Sequence, residues 1–105
     1  KDLAKAIMSI VQNRAFENTV FTTNIVNFSS EGVCSWYDFA KSIFELANVQ
    51  CHVNAIETQD YPTPAKRPHY SVLNKAKIKQ TYHLAIPYWK DSLKQCLTAL
   101  QGKVL

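Results

Sequence analysis

Ser35-Trp36-Tyr37-Asp38-Phe39-Ala40-Lys41-Ser42-Ile43-Phe44-Glu45-Leu46-Ala47 is the stretch whose reading decides the fold. A serine three residues before Asp38 is the arrangement of a capping box, in which each residue satisfies a backbone N–H of the other. Behind it Trp36, Phe39, Ala40, Ile43, Phe44 and Ala47 recur at the three-and-four spacing of one helical stripe, which the pattern predicts to be structural and buried. On either side the pattern changes. Ile25, Val26 and Phe28 form a short β-prone run ending at Ser29-Ser30-Glu31-Gly32, and residues 51–57 alternate weakly around Val53, Ala55 and Ile56. The order strand, helix, strand implies a right-handed crossover and a small parallel pair. The expected fold class is therefore α/β: a small mixed domain of about four helices around a short two-stranded parallel sheet.

The other helices follow from the same rules. Asp2 is placed to cap a helix over residues 3–12 whose apolar residues Leu3, Ala6, Ile7, Ile10 and Val11 make a single stripe. Asn74 is placed to cap a short helix running to Tyr82, and Pro87 suits the first turn of a last helix buried through Trp89, Leu93, Cys96, Leu97 and Leu100. Residues 58–70 hold Pro62, Pro64 and Pro68, three of the four prolines. Prolines at this density forbid regular helix and predict an extended, stiff loop of the kind that carries function.

Composition narrows the class. With 105 residues, 47% hydrophobic and 19% charged, the chain suits one compact domain, residues 1–105, with a modest core. A formal charge of +4 favours an anionic partner such as a phosphate-bearing ligand or nucleic acid. Cys34, Cys51 and Cys96 are widely spaced and set among apolar residues, so buried free thiols are expected rather than a disulfide framework or a zinc site. Without a signal pattern or a membrane-length apolar run, a cytoplasmic protein with no membrane partner is expected. With its start at Lys1 expected at the edge of a helix, the chain is expected to be part of something longer.

Two motifs invite chemistry. Tyr37 and Lys41 show the Tyr-x-x-x-Lys spacing by which a lysine lowers the pKa of an acidic tyrosine, yet four-residue spacing on an amphipathic helix arises easily without that role. The loop of residues 61–70 combines proline rigidity with the adjacent cations Lys66 and Arg67. An arginine fork matches a diphosphate, and Pro68 limits the backbone entropy lost on binding, although a solvated Lys-Arg pair is the ordinary reading of such residues. His69, Tyr70 and Ser71 offer hydrogen bonds to sugar hydroxyls or to a pyrimidine, or equally pack and cap the next helix. Lys75, Lys77 and Lys79 do not share one helical face and read as solvated surface rather than a nucleic-acid stripe.

Three stretches taken together carry a resemblance. They are residues 31–41, the run Tyr61-Pro62-Thr63-Pro64-Ala65-Lys66-Arg67-Pro68 continuing through His69, Tyr70, Ser71, Val72 and Leu73, and residues 86–93 beginning Ile86-Pro87-Tyr88-Trp89. Their order and spacing resemble the C-terminal third of the dTDP-4-dehydrorhamnose reductases, which are extended short-chain dehydrogenase/reductases. The resemblance implies the sugar-nucleotide-binding part of an enzyme that reduces the 4-keto group of a dTDP-sugar with NADPH or NADH in dTDP-L-rhamnose synthesis. It makes Arg67 and Pro68, with His69, Tyr70 and Ser71, the expected substrate-binding residues, and it includes Lys66 at a variable position of the motif.

The resemblance also implies what lies elsewhere. The nicotinamide and the catalytic Tyr-x-x-x-Lys belong to an N-terminal Rossmann domain, an expected partner of this chain, so Tyr37 and Lys41 are expected to be structural. Gly32 and Gly102 are the only glycines, too few for a phosphate-cradling G-x-G-x-x-G turn. Residues 13–23 depart from the family pattern. Ala99 stands where some relatives carry an acidic residue that helps a magnesium ion bridge two subunits, so no metal site is expected. The rival readings are a nucleotide-sugar epimerase or non-catalytic regulatory homologue of the same fold and, more remotely, a small basic nucleic-acid-binding module.

Overall fold

A computed structural model describes residues 1–13 and 23–102, in which four α-helices form: α1 (Asp2–Gln12), α2 (Trp36–Ala47), α3 (Ala76–Tyr82) and α4 (Trp89–Leu100). The departure at residues 13–23 lies almost entirely outside the described residues. The chain divides into two compact units, one made of Lys1–Glu31 with Leu73–Ser92, the other of Gly32–Val72 with Leu93–Leu105.

In the second unit α2 starts as its sequence dictates. Ser35 Oγ accepts the Asp38 N–H (3.1 Å) and donates to Asp38 Oδ2 (2.7 Å), while the Ser35 N–H donates to that carboxylate (2.9 Å). These bonds hold the Asp38 carboxyl below its ordinary pKa, the Ser35 hydroxyl contributing most. The helix ends at Asn48, whose left-handed backbone (φ 55°) is one that asparagine tolerates better than most side chains.

In the first unit Asp2 is not a cap. Helix α1 begins at Asp2 itself, and its carboxylate accepts the Ser92 hydroxyl at 2.6 Å. Asn74 does serve α3, accepting the Ala76 N–H at 2.9 Å, one residue further from the helix than a standard cap. Pro87 stands outside α4, because its carbonyl accepts the Glu31 N–H (2.9 Å) while Glu31 C=O accepts the Trp89 N–H (3.0 Å). These two bonds close an isolated parallel bridge between Glu31 and Tyr88, the one β-type pairing among the described residues.

The expected two-stranded parallel sheet is thus corrected: no β-strand forms among the described residues. The reason is visible in where the carbonyls of residues 23–30 go. Lys77 Nζ donates to Ile25 C=O and Lys75 Nζ to Ser30 C=O, both at 2.8 Å, and Asn27 Nδ2 donates to Asn74 C=O at 3.4 Å. Side chains and backbone around α3 take the place of a neighbouring strand, while residues 51–57 belong to the other unit. An extended segment becomes a strand only when a second backbone offers a ladder.

The reading of all three lysines as solvated is corrected by the same contacts. The Lys75 side chain is only 6% exposed and faces Glu31 at 3.5 Å, and Lys79 binds the other Glu31 oxygen at 2.7 Å. The Lys79 bond, helped by the charge of both lysines, holds the Glu31 carboxyl below its ordinary value against the opposing effect of desolvation. A depressed folded-state pKa contributes stability that is complete above the unfolded value and is lost as pH falls through the folded one. Acid unfolding should therefore steepen below about pH 4.3, the ordinary glutamate value. Glu31→Gln should flatten that part of the profile without abolishing the share that belongs to Asp38. Thermal midpoints of both proteins across the acid range check this; parallel curves would remove Glu31 from the explanation.

Burial is sparse. Among the described residues Ala6, Ile78 and Leu93 are the buried apolar ones, and Ser42 and Lys75 the buried polar ones. On α1 the expected stripe is covered only at Ala6 and partly at Ile10, leaving Leu3, Ile7 and Val11 more than half exposed. On α4 Leu93 is buried, Trp89 and Leu97 are partly covered, and Cys96 and Leu100 are exposed. All three cysteines are free and exposed, contrary to the expectation that they are buried. Periodicity marks the side of a helix that prefers cover; among the described residues several such sides are left uncovered.

Candidate functional site

The proline loop begins with a 3-10 turn, Thr58–Asp60, in the second unit. The Asp60 N–H donates to Glu57 C=O (3.0 Å), the Tyr61 N–H donates to Thr58 C=O (3.3 Å), and the Glu57 N–H returns a bond to the Asp60 carboxylate (3.1 Å). Beyond it the chain runs without regular structure to Lys75, as three prolines require. Thr63 Oγ1 donates to Ala65 C=O at 2.8 Å and closes a small turn between Pro62 and Lys66. The loop is therefore stiffened by prolines and one side-chain bond rather than by a ladder.

Lys66, Arg67, Pro68, His69, Tyr70 and Ser71 are all exposed on it. Neither Lys66 nor Arg67 has an ion-pair or hydrogen-bond partner among the described residues. Because Arg67 makes no protein contact that satisfies its fork of five donors, the fork is available to an anion. Tyr70 is 71% exposed, so neither its ring nor its hydroxyl is committed to a core.

His69 has company that the sequence did not disclose. With Ile56, Glu57, Thr58 and Gln59 it lines an open hollow of about 400 Å³. The structure brings one of the six expected site residues together with the turn that precedes the prolines, and leaves the other five outside that hollow. In the sequence Glu57 closes the weakly alternating run of residues 51–57, while Thr58 and Gln59 open the proline-bearing stretch 58–70, and neither is singled out as a site residue.

The Tyr37 and Lys41 side chains lie exposed on α2 with no hydrogen bond between them. Trp36, expected in the core, is 88% exposed and touches Phe39 edge-on, with ring centroids 6.3 Å apart. The Cys34 thiol, three residues before Tyr37, is pushed above its ordinary pKa by desolvation and by the Asp38 carboxylate, which makes it a poorer nucleophile than a free thiol. Among the described residues no group of three or more metal-ligating side chains gathers, and no helix is long and apolar enough to cross a membrane.

The model of the RmlD substrate binding domain matches residues 1–102. Among curated relatives, a dTDP-4-dehydrorhamnose reductase of Aggregatibacter actinomycetemcomitans is 40% identical over 89% of this chain and 33% of its own length. Another of Sinorhizobium fredii is 32% identical over 97% of this chain and 36% of its own. The spore coat polysaccharide biosynthesis protein SpsK of Bacillus subtilis is 29% identical over 92% and 31%. The chain thus spans about a third of the length of these relatives.

Proposed function

We propose, from the premise that this chain belongs to the RmlD substrate binding domain family, that residues 1–105 are the sugar-nucleotide-binding domain of a longer NAD(P)H-dependent dTDP-4-dehydrorhamnose reductase. The reaction is reduction of the 4-keto group of a dTDP-sugar in the cytoplasmic synthesis of dTDP-L-rhamnose. The observation that carries the reading is the exposed, proline-braced loop of residues 61–71, whose Arg67 has no partner among the described residues. It lies in a chain that the family matches almost from end to end.

On this reading each residue has a defined task. Arg67 clamps the diphosphate with two parallel N–H···O bonds, and Pro68 with Pro64 keeps the loop in place so that little entropy is lost on binding. Lys66 adds a second positive charge beside it. His69, Tyr70 and Ser71 supply donors and acceptors to the rest of the nucleotide sugar. Hydride comes from NADPH or NADH bound elsewhere in the longer protein. Gly32 and Gly102 cannot form the glycine-rich turn that cradles a dinucleotide, so no step at the nicotinamide is assigned to this chain. The half-exposed apolar residues of α1, Leu3, Ile7 and Val11, support a partner domain that covers them, the Rossmann domain of the same polypeptide.

The full-length protein should oxidise NADPH or NADH when given dTDP-4-dehydrorhamnose, read as the loss of reduced-nicotinamide absorbance. The 105-residue chain alone should show neither turnover nor binding of either cofactor. Turnover by the isolated chain would overturn the division of labour, and inactivity of the full-length protein with this substrate would overturn the assignment itself.

A further inference from the structure

We infer that Lys75 is a positioning residue for the sugar nucleotide, its buried ammonium fixing the point at which the binding loop rejoins the fold; this rests on the sugar-nucleotide reading above. Lys75 is an unfavourable residue to bury. Its side chain is 6% exposed, and an ammonium taken out of water is destabilising unless it is paired and hydrogen-bonded. As an ion pair it is close to redundant, because Glu31 already holds Lys79 at 2.7 Å, against 3.5 Å for Lys75. What Lys75 adds is the bond from its Nζ to Ser30 C=O at 2.8 Å. A buried ion is a weak source of stability but a strong selector of one arrangement, since any displaced arrangement leaves it without partners.

The arrangement selected is that of the loop exit. Lys75 follows Leu73, the last residue of the motif, by two positions, and Asn74 between them adds a second tie, its C=O accepting from Asn27 Nδ2 at 3.4 Å. At the loop entry the turn Thr58–Asp60 is closed by the Glu57 N–H on the Asp60 carboxylate at 3.1 Å. Between these two fixed ends, residues 62–73 make one hydrogen bond among the described residues, Thr63 Oγ1 to Ala65 C=O. Prolines stiffen such a segment residue by residue without fixing where it ends. With the exit released, Arg67 occupies its binding arrangement for only part of the time, and the apparent affinity falls by that fraction.

The experiment compares the full-length protein with Lys75→Met, which keeps the apolar stem without the donor and leaves Glu31 paired with Lys79. Ile78→Val is the control, a destabilising change in the same helix that spares both ties. Tryptic cleavage at the Lys66–Arg67 bond without ligand reads the loop, and calorimetric titration with dTDP-rhamnose and with NADPH reads binding. Lys75→Met should be cut about three- to tenfold faster and bind dTDP-rhamnose about three- to tenfold more weakly, with NADPH affinity unchanged. Ile78→Val should match wild type in all three. Added to Arg67→Ala, Lys75→Met should cause no further loss, because it acts through that arginine. Asn27→Ala, at an exposed position, removes the weaker tie and should shift cleavage and sugar-nucleotide affinity about twofold in the same directions, which keeps the test decisive if Lys75→Met does not fold. Unchanged cleavage in both tie variants, a parallel loss of NADPH affinity, or an equal effect of Ile78→Val would each overturn the inference. Arg67→Ala separates it from the reading beneath: a loss of dTDP-rhamnose affinity there but not in Lys75→Met sinks the inference alone. If Arg67→Ala changes nothing while Lys75→Met still weakens dTDP-rhamnose selectively, the diphosphate assignment falls and the positioning role stands.

Discussion

Replacing Ile78 by alanine is expected to destabilise the first unit by about 2–5 kcal/mol, the range for deleting a buried branched side chain. Ile78 is 2% exposed and is the most deeply buried large side chain described. It sits in α3, a helix of seven residues, and a helix so short has almost no stability of its own in water. The bonds from Lys75, Lys77 and Lys79 tie α3 to residues 25–31 at its rim, and Ile78 is its one fully covered apolar side chain, Ala76 and Tyr82 being only partly covered. Since a whole domain is stable by only about 5–15 kcal/mol, a loss of this size is a large share of the total. Ile78→Val, which removes a single methyl, should cost about 0.5–1.5 kcal/mol. Urea unfolding of the three proteins measures both. An alanine variant within about 0.5 kcal/mol of wild type, the range of ordinary surface changes, would show that α3 is held by its lysines instead.

Arg67→Ala is expected to weaken sugar-nucleotide binding in the full-length protein by roughly 1.5–3 kcal/mol, the range for a hydrogen bond to a charged group. Affinity for NADPH should barely change. The guanidinium has no partner among the described residues to release, so the loss reports the ligand contact rather than a rearranged loop. Arg67→Lys should restore only part of the affinity, because an ammonium keeps the charge without the bidentate geometry. Calorimetric titration with dTDP-rhamnose and, separately, with NADPH is the measurement. Equal sugar-nucleotide affinity in all three proteins would return Arg67 to the role of a solvated loop cation.

Helix α2 shows how far local rules reach. Its start at Trp36, its capping box and its apolar spacing all follow from contacts three or four residues apart, and the structure reproduces them. The proline loop was legible for the same reason, because a pyrrolidine ring restricts its own and the preceding residue whatever lies nearby. The sheet failed where the rule was not local. β-prone runs at residues 25–28 and 51–57 specify extended backbone, but whether they pair depends on which groups reach their carbonyls first, and Lys77 reaches that of Ile25, with Lys75 at Ser30 just beyond the first run.

The site divides along the same line. Arg67 and its neighbours were marked as candidates by the family motif, whereas the hollow beside His69 showed only once the fold set residues 56–59 near it. By itself the sequence determined four helices, one cap, a stiff proline loop bearing Lys66 and Arg67, and too few glycines for a dinucleotide-binding turn. Each of these is dictated by torsion angles and by neighbours within a turn of chain. Only the tertiary structure decided that Lys75 is buried against Glu31, that residues 25–31 are tied to α3 rather than to a strand, that the cysteines and Trp36 lie exposed, and that His69 closes a hollow with Ile56 and Gln59. Each of those depends on which distant atoms arrive at the same place, and burial and charge pairing reward that meeting without any mark in the local sequence.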